Sequence, residues 1–426
     1  MWHPSSITAG HGIGSGRNIT SDGYNVEVAT CSFEEARACV IGAVAGVRRT
    51  LPIEEISLLN ALGRVLAEDI VADRDHPAVA RSTRDGFALR AADAPGTFDV
   101  IGEVRAGEAF DGVVQPGQAV EIMTGAPMPS GADAVVMVEH ANRDGCRVTT
   151  DRALTSGENF NPAGVDARAG NTVIPRGAQI GWAEIGMAAT VGRSSLPVYA
   201  RPHVAILATG DELVDISATP EPWQIRNSNS HSLAAQVLSC GAVPFVLPVA
   251  RDNHDAAREL LKQGLEHDLL LVSGGVSAGK YDVVEDVLTE LGAEFYFDRV
   301  LIQPGQPLVF GHVKERFFFG LPGNPLSGMV TFEMLARAAL ELISGRASTA
   351  LPLLLSRLAR ELRQHAGLVR FIPSCLSADG TTITPAGWHG SGDIPAMVRS
   401  NAWLVTDPDR DHYDAGELVR VIRRSA

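Results

Sequence analysis

The stretch HDLLLVSGGVSAGKYD, residues 267–282, joins a short apolar run to a glycine-rich segment. The run LLLV at 269–272 is uninterrupted, which indicates a strand buried on both faces of a sheet. The glycines that follow permit positive φ and a close approach of the backbone to a ligand. Apolar residues then return at helical spacing after Asp282. A strand, a glycine loop and a helix in this order form the layout of a phosphate-binding turn.

Several interpretations of this glycine loop compete. Residues 274–280 match a nucleotide-binding P-loop until Tyr281, which replaces the Ser or Thr that would hold Mg²⁺. The Gly-x-Ser-x-Gly pattern around Ser277 matches the nucleophile turn of a serine hydrolase. Its downstream histidine partners would be His312, His365 and His389. A third interpretation is a phosphate or pterin loop with Asp282 facing a metal or substrate. A tight turn that binds nothing is the simplest alternative.

Length and composition set broad limits. The chain has 426 residues, of which 45% are hydrophobic and 20% are charged, with a net charge of −14. This length predicts several domains, and the acidic balance argues against nucleic-acid binding. The five cysteines are scattered without a CxxC pair, which favours a cytoplasmic protein without a disulfide or zinc framework. No apolar stretch is long enough for a membrane span, and residues 1–30 resemble a loose leader rather than a signal peptide.

Alternating strand and helix patterns begin at Arg201. Strands are predicted at 203–208, 243–249, 269–272, 295–301, 308–313 and 316–319. Helices are predicted at 229–238 and 254–265, and a long one runs from Pro325 to Leu342 with Asn324 as its N-cap. This order indicates a doubly wound α/β sheet, in which ligands bind beyond the carboxyl ends of strands. The loops at 209–212, 273–280 and 320–325 each follow a strand, so we expect all three to line one crevice.

The rest of the chain predicts further domains. Ser32 and Glu35 form a capping-box pattern before an apolar helical face, and helical spacing recurs at 56–66. Short alternating runs between glycine and proline turns, from 98 to 150, indicate a small β domain. After Gly345 strand patterns return, which predicts a β-barrel-like C-terminal domain. The predicted division is a leader at 1–30, a helical and linker domain at 31–68 with 167–198, the small β domain at 69–166, the α/β domain at 199–345 and the terminal domain at 346–426.

Four carboxylates lie near the ends of the predicted strands, namely Asp211, Glu212, Asp252 and Asp282. Carboxylate oxygens beside phosphate-binding N–H groups are the ligands that Mg²⁺ prefers. Each of them alone is more typical of a helix cap or a solvated surface group. Their grouping at one rim favours a metal site.

Several motifs follow one another along the chain. They are Arg84-Asp85-Gly86-Phe87-Ala88, Met123-Thr124-Gly125-Ala126-Pro127, Thr209-Gly210-Asp211-Glu212, Ser273-Gly274-Gly275-Val276-Ser277-x-Gly279 with Asp282, Pro304-Gly305-x-Pro307, and Gly320-Leu321-Pro322-Gly323-Asn324-Pro325. Together they resemble the signatures of the molybdopterin molybdenumtransferase family, which includes the E domain of gephyrin. The match runs from Ser32 to the C-terminus in the family's order, so it is far more specific than any single loop.

The resemblance implies a fold, a reaction and partners. Members of the family are homodimers of elongated four-domain subunits that act after an adenylyltransferase. They cleave adenylylated molybdopterin with a divalent metal such as Mg²⁺, release AMP and place molybdate on the dithiolene sulfurs. The resulting molybdenum cofactor serves client molybdoenzymes. The family builds its site from the β domain of one subunit and the α/β domain of its twofold partner.

Carried over by motif, the resemblance assigns three groups of residues. The catalytic residues are Asp85, Thr124, Asp166 and Asp282. The metal ligands are Asp211, Glu212, Asp252 and Asp282. The substrate-binding residues are Thr209, Gly210, Ser273, Gly274, Gly275, Val276, Ser277, Gly279, Pro304, Pro307, Pro322, Gly323 and Asn324.

The chain departs from the family's usual residues at three places. Residues 80–83 are Ala-Arg-Ser-Thr where an acidic, Asn- and Ser-rich run is common, and 163–165 are Ala-Gly-Val where Arg-Gly-Glu is common. Gln303 and Gln306 stand where lysines are frequent. An alternative is therefore a paralogue that binds the cofactor, or serves one client enzyme, without catalysing insertion. A serine hydrolase using Ser277 is a further alternative.

Overall fold

The structure is a computed structural model that describes residues 30–47, 51–251, 253–275 and 283–424. The chain divides into two compact units, one formed by residues 1–54 with 199–426 and the other by residues 55–198. The finer division into four domains stays a prediction. No helix within the described ranges is long and apolar enough to cross a membrane.

The first part of the described chain, up to Tyr199, is mostly β. Its elements are β1 (Thr30–Cys31), α1 (Phe33–Gly46), β2 (Ile53–Ser57), β3 (Ile70–Val71), β4 (Arg81–Ser82), β5 (Gly86–Leu89), β6 (Gly96–Val104), β7 (Gln118–Ile122), β8 (Ala134–Met137), β9 (Asn142–Asp144), β10 (Arg147–Thr150), β11 (Phe160–Asn161), β12 (Thr172–Ile174), α2 (Trp182–Thr190) and β13 (Ser195–Tyr199).

The remainder alternates strands and helices and then returns to strands. Its elements are β14 (His203–Ala208), β15 (Leu213–Val214), β16 (Ile225–Arg226), α3 (Ser228–Ser239), β17 (Val243–Val246), α4 (His254–Gly264), β18 (Leu269–Ser273), α5 (Val283–Glu290), β19 (Ala293–Val300), β20 (Ile302–Gln303), β21 (Pro307–Val313), β22 (Arg316–Leu321), α6 (Pro325–Thr331), a π-helical turn (Phe332–Ala336), α7 (Arg337–Ile343), β23 (Leu353–Leu358), β24 (Leu362–Arg363), β25 (Val369–Leu376), β26 (Thr382–Pro385), α8 (Ile394–Val398), β27 (Ala402–Val405), β28 (His412–Tyr413) and β29 (Leu418–Arg423).

A seven-stranded sheet in the order β1-β19-β21-β22-β18-β14-β17 organises the first unit. The strands β17, β14, β18 and β22 are parallel, and β21 runs antiparallel between β22 and β19. Register places Ile206 opposite Leu271, and Leu271 opposite Phe319. These three side chains are fully buried, as the apolar run at 269–272 predicts for a central strand.

The sheet is covered on both faces, which confirms the doubly wound α/β class. Alternate residues of β18 belong to different cores: Leu269 and Leu271 pack with α1, α3, α6 and α7, whereas Leu270 and Val272 pack with α4 and α5. Helix α1 begins with the predicted capping box, since the Glu35 N–H donates to Ser32 Oγ and the Ser32 N–H donates to the Glu35 carboxylate.

The C-terminal part of the first unit is a small closed barrel, as predicted. Its sheet has the order β20-β25-β26-β23-β29-β27, and an additional pairing between β25 and β27 closes the ring. The barrel interior contains Leu358, Ile383, Leu404 and Val421, all with 1% exposure or less. Closure satisfies the backbone of the terminal strands within the barrel itself.

The second unit contains a six-stranded sheet in the order β8-β5-β7-β6-β10-β9. Buried side chains on its two faces form separate clusters, one around Val120 and Ile122 and the other around Phe98 and Val136. A further cluster gathers α2 with residues before β4 and after β11, including Leu66, Ile174 and Ala188.

Two predicted helices differ in the structure. Residues 56–66 have helical spacing, but strand β2 ends at Ser57 and only the 3₁₀ turn Leu58–Ala61 follows. The Leu58 N–H donates to Ser194 O, so tertiary pairing prevails over local propensity there. The predicted helix from Pro325 is interrupted by the π turn, whose Met334 carbonyl accepts a 2.6 Å hydrogen bond from Arg37 Nη1.

Two Gly→Ala substitutions should have opposite effects on stability, because Gly86 lies in the tight pairing of β5 and β8 whereas Gly42 has open space beside it. A Cβ at Gly86 would lie 1.9 Å from the Val136 carbonyl oxygen, so Gly86→Ala forces the strands apart. We expect a loss of about 1–3 kcal/mol in unfolding free energy and a lower thermal midpoint. Gly42 in α1 has no atom within 4 Å of that position, so Gly42→Ala should hold or raise the midpoint. Equal midpoints for wild type and Gly86→Ala would contradict the packing of β5.

Candidate functional site

A cleft of about 510 Å³ lies beyond the carboxyl ends of β14, β18 and β22. All three loops predicted to meet there contribute to its lining. The lining residues are Ala208, Thr209, Gly210, Glu212, Leu213, Ile225, Arg226, Asn227, Ser228, Asn229, Ser273, Gly274, Gly275, Pro307, Pro322, Gly323, Asn324 and Pro325. The expected crevice is therefore confirmed for the described residues.

Backbone hydrogen bonds fix the floor of the cleft. The Thr209 N–H donates to Ser273 O at 3.0 Å, and the Gly274 N–H donates to Leu321 O at 3.1 Å. Gly274 has φ of +89°, and a Cβ there would lie 2.8 Å from Thr209 O. Only glycine meets both constraints, because positive φ is strained for other residues and the neighbouring atom is backbone.

Asn229 is a cleft residue that the motif comparison with the family missed. Its Nδ2 donates to Ser273 Oγ at 2.9 Å and to Gly323 O at 2.8 Å, so one side chain joins two of the three loops. Its Oδ1 is buried without a hydrogen-bond partner among the described residues. The Asn-Ser-Asn sequence at 227–229, at the start of a predicted helix, was the available signal.

The starts of two helices border the cleft. Asn227 caps α3, since its side chain accepts from the Ser230 N–H at 3.2 Å. Asn324 occupies the N-cap of α6 as predicted, but its side chain makes no capping hydrogen bond. The Leu326 N–H donates to Ser391 O at 2.9 Å instead. The α3 end thus offers the better placed positive dipole for an anion in the cleft.

Charged groups in the described lining are few. Glu212 and Arg226 are the charged side chains among the lining residues that the structure describes. The Glu212 carboxylate oxygens lie within 2.7 Å of where a Cβ of Gly210 would stand, so the carboxylate folds back over its own loop. Arg226 Nε donates to Ala218 O at 3.0 Å. The Asp211 carbonyl accepts from Arg251 Nη1 at 2.8 Å, which ties this loop to the segment between β17 and α4.

Part of the predicted site lies outside the described residues. This holds for Asp252, Val276, Ser277, Gly279 and Asp282. In the ranges that the structure covers, His, Cys, Asp and Glu side chains form no group of three or more that could hold a metal. The predicted set of four carboxylate ligands therefore stays a prediction.

The histidines required by the hydrolase interpretation lie elsewhere. His312 is on β21, where its Nε2 lies 3.7 Å from Glu294 Oε2. The backbone N–H of His389 donates to the Asp393 carboxylate. His365 borders a different cavity on the barrel. No histidine is among the described residues of the cleft lining, so nothing in them supports a Ser277 triad.

The turn that contains Gln303 and Gln306 lies partly at the cleft and partly against the barrel. Pro307 lines the cleft, whereas Pro304 is buried and is not among the lining residues. The Gln303 amide oxygen accepts from Arg370 Nη1, and β20 pairs with β25 of the barrel. Gln303 is therefore held toward the barrel rather than displayed in the cleft.

The second unit brings Asp85 and Thr124 together. The Asp85 carboxylate accepts from the Thr124 N–H at 2.6 Å and from the Thr124 hydroxyl at 2.8 Å. These bonds, the backbone one first, lower the pKa of Asp85 below its usual value. Asp166 is exposed and its N–H donates to His76 O. In the described chain no hydrogen bond joins the Asp166 side chain to Asp85 or Thr124.

Comparison with known proteins gives consistent matches along the chain. Residues 31–192 match the MoeA N-terminal region (domains I and II), residues 205–342 a probable molybdopterin binding domain, and residues 356–423 the MoeA C-terminal region (domain IV). A molybdopterin molybdenumtransferase of Staphylococcus epidermidis is 33% identical over 377 residues, which cover 86% of this chain and 90% of that protein. One from Staphylococcus aureus is 31% identical over 392 residues, covering 90% and 94%.

A solved structure gives the same result. The molybdopterin biosynthesis moeA protein of Pyrococcus horikoshii aligns with a TM-score of 0.76 and 27% identity, covering 93% of this chain and 100% of that one. Sequence relatives, family regions and fold agree over nearly the full described length. The chain belongs to the MoeA family of molybdopterin molybdenumtransferases.

Proposed function

We propose that this protein inserts molybdate into adenylylated molybdopterin, with metal-dependent cleavage that releases AMP. The observation that carries the proposal is the cleft, where three strand-end loops and the start of α3 meet in a chain of this family. The substrate is a polyanion, and such a cleft binds phosphates through N–H groups and a helix dipole. In-line attack on a phosphoanhydride needs positioning and charge neutralisation more than a protein nucleophile.

A divalent metal is the next part of the proposal. Among the described lining residues Glu212 supplies one carboxylate, and hard cations prefer oxygen ligands. We propose that Asp211, Glu212, Asp252 and Asp282 hold Mg²⁺ or another divalent cation. The metal would neutralise charge on the phosphoanhydride oxygens. Arg226 and the backbone N–H groups of the glycine loop would hold the phosphates, while Asn229 keeps two of the loops at a fixed separation.

The decisive assay uses the purified protein with adenylylated molybdopterin, molybdate and Mg²⁺. AMP release and the formation of active cofactor are measured together. A paralogue that only binds the cofactor would bind the substrate without releasing AMP. One observation favours this second candidate: the Gln303 side chain is hydrogen-bonded to Arg370 and does not line the cleft.

We further propose a homodimer in the cytoplasm, with the upstream adenylyltransferase and client molybdoenzymes as transient partners. Cys39, Cys146, Cys240 and Cys375 are free thiols, which suits a reducing compartment. Sedimentation at working concentration tests the dimer, and a monomer there would exclude it.

Asp282→Asn tests the acidic site at the glycine loop. If Asp282 supports the metal, its neutral isostere should leave folding intact and lower turnover on the order of 10²–10³-fold. Asp286→Asn, on the exposed side of α5, is the matched control and should keep wild-type turnover. AMP release at saturating Mg²⁺ is the measurement. Full activity of Asp282→Asn would remove this residue from the site.

Thr124→Val tests the pair with Asp85. The substitution removes the hydroxyl donor and leaves the backbone N–H bond, so the pKa of Asp85 should rise part of the way to its usual value. Asp85 becomes protonated and loses its negative charge as pH falls through its pKa. The acid limb of the AMP-release profile should therefore move to higher pH in Thr124→Val. Thr124→Ser keeps the hydroxyl and should leave the limb in place. An unmoved limb in Thr124→Val would show that Asp85 does not control it.

Asn229 variants test whether the loop separation matters for substrate binding. Asn229→Ala removes both hydrogen bonds, whereas Asn229→Asp also sets a negative charge against Gly323 O and an anionic substrate. We expect KM to rise about tenfold for Ala and further for Asp. Ser232→Ala, whose hydroxyl bonds only the Asn229 carbonyl, is the control in the same helix. Identical KM values for Ala and Asp variants would argue against an anion beside Asn229.

A further inference from the structure

A second cavity, of about 520 Å³, lies on the C-terminal barrel and is separate from the cleft. Its polar lining consists of Arg360, Arg363, Gln364, His365, Arg370 and the indole of Trp388. None of the described residues that line it is acidic. This concentration of cations stands out on a chain with a net charge of −14.

Arg370 is the inner cation of this cavity. Its Nη1 donates to the Gln303 amide oxygen and its Nη2 to His365 O at 3.3 Å, while its Nε–H is buried without a hydrogen-bond partner. Partial burial lowers the pKa of this guanidinium, because desolvation disfavours its charged form. Its partners are neutral oxygens, so they position the group without compensating its charge.

Arg360 lines the same cavity and is exposed. Its Nη2 donates to Pro385 O at 2.5 Å, again a neutral carbonyl. Across the described chain, neither Arg360 nor Arg370 has a carboxylate within ion-pair distance. Arg363 differs, because it pairs with Glu361 and its charge is already balanced. The cavity therefore presents two fixed, uncompensated guanidinium groups.

The charge and the apolar wall of the cavity together indicate the chemical class of its ligand. Two uncompensated cations match a dianion, and a phosphate monoester carries about −1.5 to −2 at neutral pH. Guanidinium groups bind phosphate oxygens through directed pairs of N–H bonds. The cavity also has an apolar wall formed by Leu362, Ile372 and Trp388, which bare phosphate would leave unused.

We propose that this barrel cavity binds a small organic phosphate monoester, with its phosphate between Arg360 and Arg370 and its organic part against Trp388. The site lies in the barrel and does not depend on the proposed insertion reaction.

Calorimetric titration of the full chain with phenyl phosphate and with inorganic phosphate tests the proposal. Both should bind saturably at constant ionic strength, phenyl phosphate more tightly. Arg360→Gln and Arg370→Gln should each weaken both ligands about tenfold or more. Trp388→Leu should weaken phenyl phosphate and leave inorganic phosphate unchanged, because only the organic part contacts the indole.

Arg357→Gln is the matched control. Arg357 belongs to the same barrel and donates to Gly416 O, but it does not line the cavity. It should bind both ligands as wild type does. The thermal midpoint of each variant identifies any that fail to fold, and the exposed Arg360 keeps the test available if Arg370→Gln unfolds. Absence of saturable binding, equal competition by chloride, or an equal loss in Arg357→Gln would overturn the proposal. None of these outcomes bears on AMP release at the cleft.

Discussion

The parallel pairing of β14, β18 and β22 is the constraint on which the rest of the first unit depends. Each strand buries side chains on both faces, so a slip of one residue would exchange the two cores. Fully burying one such Leu or Phe contributes about 1.5–3 kcal/mol, which fixes the register. Because the strands are parallel and in register, their carboxyl ends stop at one edge. The core therefore brings the loops that follow these strands to one edge, where hydrogen bonds between the loops fix the cleft.

Within that cleft, backbone proximity leaves little room for side chains. Thr209 and Gly274 approach so closely that a single added carbon would overlap a carbonyl oxygen. Asn229 then supplies the side-chain link between loops whose own residues are small. The result is a surface made mainly of glycine and proline backbone and short polar side chains. Such a surface contacts a ligand at many points rather than through one strong charge.

Much of this arrangement could be predicted from the sequence. The sequence predicts the strand at His203–Ala208 with its observed ends, and the apolar run at 269–272 indicates both a strand and its burial on two faces. The local hydrophobic pattern predicts the wrong element where tertiary pairing determines the backbone conformation. At 56–66 it predicts a helix, but the structure has the end of β2 and a 3₁₀ turn. Local pattern also does not identify Asn229, because its side chain joins two loops that are far apart in the sequence and meet only in the fold. Similarly, the sequence around Gln303 predicts an exposed turn residue, whereas in the fold its side chain accepts a hydrogen bond from Arg370.

The borders of the seven-stranded sheet have a consequence for how the protein behaves at high concentration. One border is β17, whose four residues include Pro244. A proline has no N–H to donate, so it interrupts the row of hydrogen bonds that an added strand would need. The barrel, being closed, has no free border in its ring. The β17 border and the barrel ring thus resist strand addition from a neighbouring molecule, which opposes fibrillar self-association through these strands.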